Sequence, residues 1–114
     1  MSSERFKKLA LALPETLEKS HFGKADFRVR DKIFAGFDNK GTAYVKLLPE
    51  QQLMLCEAEP TVISPIAGGW GKKGWTLIDQ NKADEALMKS VLQMAWRNVA
   101  PKSLQRVGTG VSPR

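Results

Sequence analysis

Apolar residues first recur at helical spacing, with Phe6, Leu9, Ala10 and Leu13 on one face of a short segment. Ser2 or Ser3 suits the cap of this helix, and Pro14 closes it by disfavouring helical geometry at Leu13. From Leu17 to Leu48 the period drops to two. Phe27 and Val29 point one way while Asp26, Arg28 and Arg30 point the other. Asp31-Lys32 reads as a two-residue turn into Ile33-Phe34-Ala35-Gly36-Phe37. Asp38-Asn39-Lys40-Gly41 is the strongest turn signal in the chain, and it leads into a strand over residues 42–48 with Val45 and Leu47 on one face and Tyr44 and Lys46 on the other. The pattern predicts an antiparallel meander with one wet face.

Pro49 suits the first position of a helix over residues 50–59 that carries Leu53, Met54 and Ala58 and stops at Pro60. Thr61-Val62-Ile63 reads as a short strand entering a glycine-rich loop, and Trp75-Thr76-Leu77-Ile78 as the strand leaving it. Asp79 or Asn81 is the expected cap of the longest helix, with Asp84 and Glu85 in its first turn. Leu87, Met88, Val91, Leu92, Met94, Ala95 and Val99 form its core stripe, and Pro101 ends it. The predicted order is α-β-β-β-β-α-β-β-α, an α+β fold in one domain over residues 1–104, with helices from both ends packed on one sheet face. Residues 105–114 read as a disordered tail.

Charge changes this picture by being uneven. The net charge is +6, but residues 49–69 carry three acidic groups and no basic one. Residues 21–48 carry six basic against three acidic groups, and residues 70–114 eight against three. Two positive blocks flanking an acidic insert point to a basic face. Between Gly68 and Trp75 the chain reads Gly-Gly-Trp-Gly-Lys-Lys-Gly-Trp, a flexible loop with two indoles bracketing two ammonium groups. Stacking surface beside positive charge suits a polyanion that carries planar bases. The alternative is a hairpin loop whose Trp70 and Trp75 fold back onto the core, Trp75 first because it opens a strand. The same loop matches G-x-G-x-x-G from Gly69 to Gly74, but a β-prone segment follows where a dinucleotide fold needs a helix N-terminus. On the sheet, Arg28, Arg30, Tyr44 and Lys46, edged by Lys24 and Lys32, could follow a phosphate track. A solvated face with local ion pairs to Asp26 and Asp31 is the competing reading.

Catalytic chemistry has little to stand on. His21 is the single histidine and is expected to pack beside Phe22 or to bond a turn. Cys56, the single cysteine, excludes an internal disulfide and is expected to behave as a small hydrophobe. No GxSxG, HExxH or paired-carboxylate pattern is present, so the expectation is a non-enzymatic protein without metal or cofactor. The first residues lack the apolar run of a signal peptide, and no stretch approaches the ~18 apolar residues of a spanning helix. A soluble cytoplasmic monomer is expected.

Three stretches, in order, resemble the MmcQ/YjbR family of small bacterial proteins. The first runs from Leu11-Ala12-Leu13-Pro14 to Ser20-His21-Phe22-Gly23-Lys24 and Phe27-Arg28-Val29; the second is Lys32-Ile33-Phe34-Ala35 with Val45-Lys46-Leu47. The third is Trp70-Gly71-Lys72-Lys73-Gly74-Trp75-Thr76 with Ala95-Trp96 and Ala100-Pro101-Lys102. The similarity covers residues 5–104 and implies a frataxin-like, double-wing α+β fold and a DNA-binding label that rests on structural analogy. It implies Lys24, Lys32, Lys46, Trp70, Lys72, Lys73 and Trp75 as contact residues and brings no catalytic residue. Frataxin-like iron binding would need an acidic first helix, whereas this one sets Arg5, Lys7 and Lys8 against Glu4. The leading expectation is a DNA-binding domain with weak sequence specificity; a protein-interaction module using the Trp-Lys-Lys loop and a small-anion-binding domain are the alternatives.

Overall fold

The periodicity of the first segment becomes α1 (Ser3–Leu11), with Phe6 and Ala10 fully buried and Leu9 packed beside them. β1 (Thr16–His21), β2 (Lys24–Val29), β3 (Lys32–Phe37) and β4 (Ala43–Lys46) follow as an antiparallel meander. Next come α2 (Pro49–Ala58), β5 (Ile63–Pro65), α3 (Gly69–Lys72), β6 (Trp75–Ile78) and α4 (Glu85–Val99). A last helical turn covers residues 102–104. This computed structural model describes residues 3–21, 24–38, 40 and 42–104. Ser2 as a cap, the side chain of His21 with its neighbour Phe22, Asn39 and Gly41 of the turn, and the tail lie outside the described residues.

The six strands form one antiparallel sheet in the order β1-β2-β3-β4-β6-β5. β6 pairs with β4, so α2 carries the chain past it and β5 takes the outer edge. Cross-strand partners share a face, and the register therefore sorts every side chain. Phe27 stands opposite Ala35, Ala35 opposite Val45, and Val45 opposite Thr76, all of them buried. On the other face Asp26 stands opposite Gly36, Gly36 opposite Tyr44, and Lys46 opposite Trp75.

The buried face is the helix side. α4 lies along β3 and β4 and touches α1, while α2 sits against β5. Gln51 of α2 exchanges side-chain hydrogen bonds with Asn98 of α4 at 2.7 and 3.4 Å. Phe6, Phe27, Phe34, Met88, Leu92 and Trp96 fill this layer. The Trp96 indole N–H donates to the Pro14 carbonyl at 3.1 Å, so its one polar atom is satisfied in the core. Among the described residues no long helix covers the opposite face. The result is a two-layer α+β domain with an open sheet.

Several expectations shift by a residue or an element. The β2–β3 turn is Arg30-Asp31, not Asp31-Lys32; both residues take left-handed φ, 51° and 68°, as a primed hairpin turn requires. Phe34 is the extra residue of a bulge, which leaves Phe34 and Ala35 both buried. Asp84, not Asp79 or Asn81, caps α4 by accepting from the Leu87 N–H at 2.8 Å. Asp79 instead accepts from the Asn81 N–H at 2.9 Å and shapes the turn before it. On α2, Leu55 and Cys56 pack on the core while Leu53 and Met54 are 61% and 53% exposed.

Candidate functional site

The largest departure from the sequence reading is the glycine-rich loop. It is no loose turn but a four-residue helix, α3, fixed from beneath. The Gln52 side-chain amide lies 3.0 Å from the Gly71 carbonyl, 3.2 Å from the Trp75 carbonyl and 3.0 Å from the Thr76 hydroxyl. Thr76, fully buried, donates to the Gly74 carbonyl at 2.8 Å. The Leu47 N–H reaches the same carbonyl at 2.9 Å, and the Ile66 N–H reaches Trp75 at 3.0 Å. Gly74 has φ of 104°, and a side chain there would strike the Leu47 carbonyl. Buried polar groups that satisfy one another in this way hold a single geometry.

That geometry sets three rings in a row at the open face. Tyr44 and Trp75 meet edge to face at 5.7 Å, and Trp75 and Trp70 do the same at 6.3 Å. The Lys46 ammonium stands over the Trp75 ring at 5.2 Å, and that of Lys73 over Trp70 at 5.6 Å. Both distances lie within reach of the ring quadrupole. Trp75 is half-buried on the open face, not folded into the core as the alternative reading had it, because it stands opposite Lys46. Trp70 remains 63% exposed. The hydroxyl end of Tyr44 lies close over Gly36, where any side chain would strike it. Burial first, then Asp26 and Asp38, push the Tyr44 phenol up, so it stays neutral at physiological pH.

The cations sort into two groups. Lys24 and Lys19 line, with Asp26, Asp38 and Tyr44, a depression of about 330 Å³ beside the ring row. Lys72 and Lys73 follow Trp70 at the other end, both exposed. Arg28 shares the open face but is held by Asp26 at 2.7 and 3.2 Å, as the ion-pair reading expected. Asp26 first of all holds the Arg28 guanidinium above its ordinary value. Arg30 and Lys32 do not join the group. Arg30 occupies the hairpin turn and pairs with Glu15 at 2.8 Å, and Lys32 stands opposite Val29, whose side chain is buried on the helix side.

Lys19 is the residue the sequence reading missed. Its register opposite Asp26 puts it on the open face, and the apolar Leu17 two residues earlier, 67% exposed on that same face, hid this from a reading by alternation. Gln52 and Thr76 were missed too, since only the tertiary fold reveals what they support. Burial pushes the Cys56 thiol up, away from the thiolate a nucleophile needs. Among the described residues no group of three or more His, Cys, Asp or Glu is placed to hold a metal ion. Nor is any helix among them long and apolar enough to cross a membrane.

An open antiparallel sheet backed by helices, with a fixed Trp-Lys corner at its rim, defines a small α+β domain of distinct type. The YjbR family model matches residues 11–98, and the chain belongs to that family. The solved structure of Deinococcus radiodurans protein DR2400, which carries a DUF419 domain, is similar in fold, with a TM-score of 0.74 at 21% identity. The alignment covers 97% of this chain and 89% of that one. No curated protein matches the sequence.

Proposed function

We propose that the open sheet face binds nucleic acid, DNA in particular, by its backbone and with weak sequence preference, and that the protein acts by binding rather than catalysis. One observation carries this reading: two lysines stand over two indoles of a three-ring row, with further cations at both ends. Phosphates attract the ammonium groups, and the rings supply a planar surface between them. Lys19, Lys24, Lys46, Lys72 and Lys73 form no ion pair among the described residues. If these five neutralise five phosphates, log K for duplex DNA falls with log salt at a slope of roughly −4 to −5.

The test is a titration of labelled duplex and single-stranded oligonucleotides from low to moderate salt, comparing wild type with Lys72→Ala/Lys73→Ala. Binding that ignores salt, or that the double variant leaves unchanged, removes the corner from the mechanism. A second reading is favoured by Leu53 and Met54, exposed side by side on α2, and Leu48, exposed just before it. They suit a protein partner, whose co-purification would resist nuclease and moderate salt.

A further inference from the structure

We infer that the preferred ligand of the open face is a single strand, gripped by stacking a base on Trp70; this rests on the nucleic-acid reading above and narrows it. Three features separate a base platform from a backbone clamp. The first is the cost of the exposed indole. Trp70 leaves 63% of its surface in water at the second position of α3, where a polar side chain would sit without exposing apolar surface. A duplex keeps its bases stacked inside and offers a flat sheet mainly phosphates, so a ring there has no partner. An unpaired base has a free face and can use it.

The second feature is rigidity. Trp70 sits on backbone fixed by Lys73 N–H to Trp70 carbonyl at 3.1 Å, Gly74 N–H to Gly71 carbonyl at 3.0 Å, and the Gln52 amide below. The ring meets Trp75 in a T-shaped contact at 6.3 Å. A ring held this way loses little freedom when a base stacks on it, which favours affinity. The third is the pairing of charge with ring across the face: Lys24 in the depression beside Tyr44, Lys46 over Trp75, and Lys73 over Trp70. A flexible single strand can lay phosphates on the ammonium groups and turn its bases to the rings between them. Tyr44 and Trp75, half-buried and edge-on to their neighbours, offer less free surface, which makes Trp70 the principal platform.

The experiment uses the full chain and three probes of equal length: an oligothymidylate, a duplex, and an abasic strand with the same phosphates. Affinity is read by anisotropy, and stacking by quenching of tryptophan fluorescence. Wild type is expected to bind the oligothymidylate most tightly, with quenching. Trp70→Ala should weaken that binding roughly 10-fold and duplex binding far less, and Trp70→Phe should retain most of the oligothymidylate affinity. The abasic strand should bind wild type about as weakly as the oligothymidylate binds Trp70→Ala. A melting curve confirms that each variant is folded. If Trp70→Ala binds the oligothymidylate as wild type does, or if the abasic strand binds equally well, stacking is overturned while the backbone reading stands. Equal competition by mononucleotides also overturns it, in favour of a small-anion site. If no probe binds at low salt, the nucleic-acid reading itself fails and this inference with it.

Discussion

On the helix side of the sheet, Phe6 meets Phe27 at 6.0 Å and Phe37 at 6.2 Å, edge to face, with Phe6 and Phe27 cut off from water and Phe37 partly so. On the open side, Tyr44, Trp75 and Trp70 meet at nearly the same spacings and angles, yet Trp70 remains mostly in water. Similar ring geometry thus serves two ends. Beneath the helices each ring removes apolar surface from solvent and belongs to the interlocking core that gives the fold its stability. On the open face the same contacts stiffen a surface that nothing in the described chain covers. Stability and binding are therefore separable by face.

The largest effect that could break this separation is Phe6→Ala. With its side chain fully buried, truncation should cost about 3–5 kcal/mol, enough to lower the melting temperature by well over ten degrees. Trp70→Ala should cost no more than about 1 kcal/mol, the scale of one exposed cation–π contact. Thermal melts of the pair decide the matter. A large loss in Trp70→Ala would mean that the open-face rings also hold the fold together.

Gly74→Ala is next and lies at the junction of the two regions. At φ of 104° and against the Leu47 carbonyl, an alanine should cost about 1–3 kcal/mol in strain. It should also release α3 from the Gly74 carbonyl bonds, so binding falls together with stability. Unchanged affinity in a destabilised Gly74→Ala would show that corner rigidity is dispensable.

Much of the helix side was legible in the chain, because burial imposes a strict period. Phe27 and Val29 alternate with Asp26 and Arg28, and Phe6, Ala10, Val91 and Ala95 recur at helical spacing. The open face was legible only as composition. Nothing local distinguishes Arg28, held by Asp26, from Arg30, held by Glu15 fifteen residues away in sequence. The bulge at Phe34 and the turn at Arg30-Asp31 were hidden for a related reason. Neither carries glycine or asparagine, and tertiary pairing rather than residue preference sets the left-handed geometry. Four glycines near α3 argued for a flexible loop, and Gln52 from another helix, with Thr76, Leu47 and Ile66, turns them into a fixed corner. Propensity yields to tertiary context there.

Single lysines give a smaller and more local effect. Lys46→Ala or Lys73→Ala should each reduce the magnitude of the duplex salt slope by roughly 1. Lys89→Ala, exposed on α4, should leave it unchanged. Equal effects at all three sites would mean that net charge, not the open face, governs binding.

The smallest expected effect belongs to Glu15 and Arg30, the ion pair at the β2–β3 turn, which has no place in the ring row. The Arg30 hydrogen bond, foremost, holds the Glu15 carboxyl below its ordinary value. A depressed carboxylate contributes stability above the unfolded value, and that contribution is lost as pH falls through the folded value. Wild type should therefore melt slightly higher than Glu15→Gln near neutral pH. The difference should shrink to nothing as the pH drops below the carboxylate range, since both side chains are then neutral. A gap that persisted at low pH would assign the effect to shape at the left-handed Glu15 (φ 54°) rather than to charge. Nucleic-acid affinity should not respond, because Arg30 is turned to Glu15 and lies outside the ring row. A changed salt slope in Glu15→Gln would instead extend the binding face to the hairpin turn and dissolve the division between a charge-cancelled turn and a cation–ring row.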